Sequence, residues 1–175
     1  MTRPNRNNAI KAARSVLDEF EIVRPPVGID KIAKKMNTRL MYSPLDDELS
    51  GMVYIKDGIP IIGVNALHHP NRQRFTIAHE VGHLVMHRDL IEKEVHVDKT
   101  FLMLRRDTAS TSGKEAVEIE ANTFAAEILM PEIMISNALK NNAYDIDDKS
   151  LISRLAKQFK VSTQAIQFRL GNLIG

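Results

Sequence analysis

Arg74-Phe75-Thr76-Ile77-Ala78-His79-Glu80-Val81-Gly82-His83-Leu84-Val85-Met86-His87 contains the pattern H-E-x-x-H at residues 79–83. On an α-helix, residues four apart lie roughly 40° from one another and about 6 Å apart along the axis. The imidazoles of His79 and His83 can therefore reach one metal ion, while Glu80 stands beside them, placed to act on water instead of on the metal. Chance is the competing reading, and the surroundings argue against it. On a helical wheel Ile77, Ala78, Val81, Leu84 and Val85 cover the side opposite His79, and Phe75, Gly82 and Met86 extend that surface almost to the histidines. A helix apolar over most of its circumference is buried. Buried imidazoles need partners, so a shared zinc ion is the economical expectation.

A catalytic zinc keeps three protein ligands and one open position. His87 continues the series but lies about 12 Å along the axis from His79, too far to share an ion. The longer metzincin pattern needs Gly at position 86 and His at 89, where this chain has Met86 and Asp89. His68, His69 and His96 remain possible, without a supporting pattern. The segment from Lys114 to Met130 reads as a strong helix stopped by Pro131, and it carries Glu115, Glu118, Glu120 and Glu127. With Glu118 at zero on its wheel, Ala121, Asn122, Ala125 and Leu129 lie within about 60°. Glu120, Thr123 and Glu127 fall opposite, on the expected wet face. Glu118 is thus the carboxylate expected to point inward, flanked by alanines small enough to admit another helix. A metal is a good partner for such a group. Asn122, one turn on, could hydrogen-bond a ligand histidine. The expected centre is His79, His83 and Glu118 around Zn²⁺, with Glu80 as the base and Asn122 behind. The donor set suits zinc best, with manganese and iron as other candidates.

Length and composition bound the rest. A chain of 175 residues, 43% apolar and 26% charged, is an ordinary globular domain with room for a core. Cysteine is absent, which excludes disulfides and thiolate ligands. No apolar run approaches a membrane span and residues 1–8 have no apolar signal region, so the expectation is a soluble, cytoplasmic protein. The net charge of +2 singles out no partner. Its distribution is uneven. Residues 115–148 hold eight acidic groups against Lys140 alone, and residues 149–175 hold five basic groups and no acid. Such a contrast is usually a solvated surface, and a short basic tail can also dock a partner.

In order, Asn8 to Phe20 and Val27 to Met36 show helical patterns separated by Pro25-Pro26, and Thr38 to Tyr42 reads as a strand. Gly51 to Ile55 and Ile59 to Val64 flank Lys56-Asp57-Gly58, a hairpin, with Pro60 expected at a late strand start or a sheet edge. Pro70 suits the first turn of the motif helix, with Asn71 or its neighbour as cap. Glu94 to Leu104 alternates as a strand in part, and Arg105 to Gly113 reads as a loop, a candidate site of regulation. Glu132 to Leu139 is a short helix and Asn141 to Asp148 a linker. Leu151 to Phe159 and Thr163 to Leu173 form a helix pair with Ser162 capping the second.

Two histidines and a glutamate with a neighbouring acid form the constellation of a metallopeptidase. Glu80 would take a proton from the attacking water and pass it to the leaving amine. Tyr54, His87 and His96 are candidates for a second donor to the oxyanion. An extended peptide could add to an exposed edge of the hairpin.

These segments resemble the ImmA/IrrE family of metallopeptidases. The resemblance runs through Gly51-Met-Val-Tyr-Ile, Pro60-Ile-Ile-Gly-Val-Asn65, the stretch from Arg72 to His87, and Glu118-Ile-Glu-Ala-Asn-Thr-Phe-Ala-Ala-Glu-Ile-Leu-Met-Pro131. It implies an α+β, zincin-like fold: a small, mostly antiparallel sheet with helices around the central H-E-x-x-H helix. It also implies a zinc-dependent endopeptidase of bacterial or phage origin that cleaves a helix-turn-helix repressor, so derepressing a mobile element, a stress regulon or a toxin–antitoxin-like system. By position His79, His83 and Glu118 would hold the metal and Glu80 would be the base.

Residues 1–148 are expected to form the peptidase domain and residues 149–175 a helix-turn-helix-like pair packed on it. That pair could dock a repressor or touch DNA through Lys157, Lys160, Gln164, Gln167 and Arg169. Two helices that complete the fold are favoured over DNA binding, because such pairs are often structural, and Lys160 standing in a turn where DNA-binding versions often have Gly weakens the DNA case further. Two alternatives remain from other classes: a module that binds a repressor without cleaving it, and a DNA-binding protein. An intact Glu80 favours the enzyme, since a scaffold has no use for a general base.

Overall fold

Asp57 and Gly58, with φ of 52° and 76°, make the two-residue turn that joins β2 (Leu49–Lys56) to β3 (Ile59–Asn65). Positive φ at both positions matches the right-handed twist of the strands it connects. The two strands are antiparallel, with Lys56 opposite Ile59 and Gly51 opposite Val64. β1 (Arg39–Ser43) lies parallel to β3, and β4 (His96–Lys99) is antiparallel to β2, giving the order β1-β3-β2-β4. Two of the three pairings are antiparallel, as the sequence predicts. The computed structural model describes residues 3–92, 96–99, 112–139 and 148–174. Most of the Arg105–Gly113 loop and of the Asn141–Asp148 linker lies outside the described residues. The backbone at Ser112 and Gly113 is already helical, and Asp148 caps a helix.

The hairpin differs from expectation in one respect. Both its strands are interior, and the outer strands among the described residues are β1 and β4. Pro60 therefore lies at no edge and starts no late strand. It is the second residue of β3, one before Ile61, the first to pair with β1.

The helices are α1 (Arg6–Glu19), α2 (Ile29–Lys35), α3 (Pro70–Met86), α4 (Arg88–Ile91), α5 (Ser112–Leu129), α6 (Glu132–Leu139), α7 (Lys149–Phe159) and α8 (Thr163–Ile174). The fold is α+β. α3 is its middle layer: it packs on β2 and β3 from one side and on α5 from the other, with α1 behind α5 and α2 beside it. This sandwiching explains its nearly continuous apolar circumference. Thr76 through Leu84 are all buried. Pro70 occupies the first turn as expected, but the cap is His69, whose Nδ1 accepts the Asn71 N–H at 3.2 Å. Asn71 donates elsewhere, to the Val161 carbonyl at 3.0 Å.

That bond helps fix the C-terminal pair. Arg74 on α3 donates to the carbonyls of Lys160, at 3.1 Å, and Val27, at 2.8 Å. Lys160 adopts φ 53°, ψ 53°, the left-handed conformation that usually recruits glycine, and ends α7 there. Ser162 Oγ accepts the Ala165 N–H at 3.0 Å, the expected cap of α8. Among the described residues no helix is long and apolar enough to cross a membrane.

The wheel of α5 misleads on its far side. Glu127 is not on a wet face but almost fully buried. It accepts from Arg14 Nε of α1 at 2.8 Å and from Arg169 of α8, whose Nε also donates to the Met130 carbonyl at 3.0 Å. Charges from two distant helices turn this face into an interface. Arg169, a candidate DNA contact in the sequence, is buried in that interface and has no free face for DNA.

β2 crosses α3 closely at Gly51. A Cβ there would stand 2.4 Å from Thr76 Cγ2 and 2.8 Å from the Gly63 carbonyl oxygen. Gly51→Ala is expected to lose about 1–3 kcal/mol, since the backbone oxygen cannot move aside cheaply. Gly171→Ala, in α8 with open space around it, should gain about 0.5–1 kcal/mol of helix propensity. Urea melts of the two variants check the contrast, and wild-type behaviour of Gly51→Ala would refute the close approach. Arg169→Ala is expected to cost on the order of 3 kcal/mol by stranding part of the Glu127 charge, against little for exposed Arg154→Ala.

Candidate metal centre

His79 and His83 project from one side of α3 because they stand one helical turn apart. Their Nε2 atoms come within 3.0 Å of one another, and both imidazoles are buried. Glu118 reaches them from α5, with one carboxylate oxygen 3.2 Å from His79 Nε2 and the other 3.5 Å from His83 Nε2. The ligating atoms of all three residues lie within 4.8 Å of one another. Glu118, expected to point inward, reaches the histidines while its side chain stays 37% exposed. The histidines form the closed floor of the cluster and Glu118 its open rim.

Small residues permit the approach of the two helices. A Cβ at Gly82, between the histidines, would stand 3.0 Å from Phe124 Cδ1 on α5. Ala121 and Ala125, beside Glu118 on the wheel, are fully buried. The Asn122 Oδ1 lies 2.8 Å from His79 Nδ1, on the ring edge opposite Nε2. An amide oxygen can only accept, so His79 donates from Nδ1 and turns the lone pair of Nε2 toward His83 and Glu118.

Glu80 is completely buried. It lies between α3 and the sheet, where its Oε1 would be 3.6 Å from a Cβ at Gly51. The absence of a side chain at Gly51 therefore shapes the wall beside this carboxylate. The Asn65 side chain, also fully buried, orders the loop before β2. Its Oδ1 accepts the Leu45 and Leu67 N–H groups at 3.3 and 3.0 Å, and its Nδ2 donates to the Leu49 carbonyl at 2.8 Å. Gln73 on α3 donates to the carbonyls of Asn65, Ala66 and His68 at 3.2, 3.1 and 2.9 Å.

The remaining candidates are dispersed. His87 is no member of the cluster, as helix geometry requires. Its Nδ1 is 3.3 Å from His83 Nδ1 and its Nε2 is 2.8 Å from Glu120 Oε2. Glu120, expected on a wet face, also accepts the Asn5 N–H at 2.6 Å. Burial works to raise its pKa, but the Asn5 N–H and His87 outweigh it and hold the carboxyl below its usual range. Tyr54 lies an odd number of residues from Gly51 on β2 and so points to the sheet face away from α3. His68 lies near Asn65, with Nε2 3.4 Å from Asn65 Nδ2, and His69 caps α3. His96 pairs with Val53 in the β2–β4 ladder. Lys157, Lys160, Gln164 and Gln167 are exposed on the C-terminal pair.

The contacts missing from the sequence reading are Asn5, Glu120 and Gly51. Only His87, at i+4 from His83, carried a signal in its spacing. The donor set itself fits a borderline metal such as zinc: two imidazole nitrogens and a carboxylate oxygen, with a carboxylate base alongside and no thiolate.

Known proteins share these features. The peptidase M78 family model, described as the IrrE N-terminal-like domain, matches residues 33–171, a range that crosses the expected division at 148. The radiation response metalloprotease IrrE of Deinococcus radiodurans is 30% identical over 110 residues, 63% of this chain and 30% of that protein. The uncharacterized immunity region protein 2 of Bacillus phage phi105 is 26% identical over 156 residues, 87% of this chain and 89% of that one. A solved Mycobacterium tuberculosis transcriptional regulator superposes with a TM-score of 0.61 at 20% identity, covering 91% of this chain and 45% of its own. This chain thus spans less than half of the metalloprotease and of the mycobacterial protein, and the latter likeness concerns the fold alone. With the matched region containing the H-E-x-x-H helix, Glu118 and the C-terminal pair, the chain belongs to the ImmA/IrrE family, peptidase family M78.

Proposed function

We propose that the protein is a zinc-dependent endopeptidase whose substrate is a regulatory protein, a helix-turn-helix repressor. The observation that carries the reading is the convergence of His79, His83 and Glu118 beside a fully buried Glu80. His79, His83 and Glu118 are the residues that would hold zinc, and Asn122 orients His79 from behind. When bound, zinc would polarise a peptide carbonyl and ease the deprotonation of water. Glu80 receives the proton of the attacking water and returns it to the leaving amine. Its burial between α3 and β2 keeps competing solvent away, and Gly51 leaves room at its side. Exposure of Glu118 places the open side of the cluster at the surface, where a peptide can enter.

The likeness to a phage immunity region protein along nearly the full length of both chains supports a regulator as substrate. The exposed surface of α7 and α8, with Lys157, Lys160, Gln164 and Gln167, is the place for such a protein to dock. The withdrawal of Arg169 into the Glu127 interface weakens a role in binding DNA.

Glu80→Gln separates an enzyme from a binding module. The variant is expected to retain zinc and a repressor encoded beside it, while cleavage falls at least about a hundredfold. Glu118→Gln should lose zinc and cleavage together. Mass spectrometry of a repressor incubated with each variant gives the readout. Unchanged regulation by Glu80→Gln in cells, with no cleavage by the wild type, would establish sequestration instead.

A further inference from the structure

A carboxylate two residues beyond Glu118 completes a hydrogen-bonded chain that ends on a ligand histidine. Its members are the Asn5 N–H, Glu120, His87 and His83, with successive separations of 2.6, 2.8 and 3.3 Å. With His87 neutral, the donors and acceptors along it follow in order. The Asn5 N–H can only donate, and it takes one oxygen of Glu120. The other oxygen of an ionised carboxylate can only accept, so His87 donates from Nε2. A neutral imidazole that donates from Nε2 accepts at Nδ1. His83 must then donate from Nδ1, which leaves its Nε2 lone pair directed at His79 and Glu118.

We infer that Glu120 and His87 are positioning residues that hold His83 in its Nδ1–H tautomer, so that Nε2 is presented to the metal. His79 reaches the same state by a shorter route, through Asn122. The two ligand histidines thus have unequal supports: an amide one bond away for His79, and a relay through a second imidazole to the N-terminus of α1 for His83. Orienting partners of this kind typically change metal affinity ten- to a hundredfold when removed. The relay is local to His83, and α3 ends at Met86 with its backbone satisfied independently by the His87 N–H to the His83 carbonyl at 2.8 Å.

This inference rests on the zinc reading, and the experiment keeps the two apart. The full chain and the variants His87→Phe, Glu120→Ala, Glu120→Gln and Glu118→Gln are measured in two ways. Zinc affinity is obtained by competition with a chromogenic chelator. The tautomer of His83 is read from ¹⁵N-histidine NMR of the metal-free chain, at a pH where the imidazoles are neutral. In the metal-free wild type His83 is expected as the Nδ1–H form. His87→Phe and Glu120→Ala should mix the tautomers of His83 and weaken zinc binding roughly ten- to a hundredfold. Glu120→Gln keeps one acceptor oxygen for the two donors, Asn5 N–H and His87 Nε2–H, so both readouts should fall between wild type and Glu120→Ala, a graded shift of the His83 tautomer that a purely structural contact would not show. Wild-type affinity and an unchanged His83 tautomer in both disrupting variants would overturn the relay. Loss of zinc in Glu118→Gln would in that case still uphold the metal centre. Failure of the wild type to bind zinc would overturn the metal centre, while the NMR readout would still decide the relay.

Discussion

Two imidazoles and a carboxylate from two different helices are brought within reach of one point, and the rest of the fold is arranged around that meeting. His79 and His83 are held 3.0 Å apart at Nε2 by a helix that has no freedom to separate them. α3 is packed between the sheet and α5, and Gly51 and Gly82 let both neighbours come close to it. The packing thus sets three donors where a metal could be held.

The same packing separates the two kinds of carboxylate. Glu80 faces the sheet and is sealed from solvent, whereas Glu118 stands at the rim. A sealed carboxylate exchanges protons only with what is brought to it, and a rim carboxylate can move as ligands enter. Their opposite exposures follow from their elements: one lies on the central helix, the other on a helix covered on only part of its length.

Much of this was legible in the sequence. The motif helix announced itself by apolar residues over most of its circumference, the hairpin by Asp57-Gly58, and the side of α5 that meets α3 by the alanines beside Glu118. What could not be read was the identity of covering partners. A helical wheel assigns Glu120 and Glu127 to solvent because it sees one helix at a time. Their partners Asn5 and Arg14 come from more than a hundred positions away in the chain, and Arg169 from 42. The hairpin likewise looked like an exposed edge because a strand pair cannot reveal that β1 and β4 flank it. The capping of α3 by His69 escaped because His is an uncommon cap, chosen here by the extended backbone that precedes Pro70.

The bond from the Asn5 N–H to Glu120 bears on where this protein begins as a physical object. The family-model match starts at residue 33, yet α1 closes one face of α5 through Arg14 and terminates the hydrogen bonds that lead to His83. The recognisable signature and the working unit therefore have different borders. A backbone amide carries no sequence signature, so this contact is invisible to a reading of side chains. A segment that the family model leaves unmarked can still be a wall of the candidate site, held there by a backbone contact.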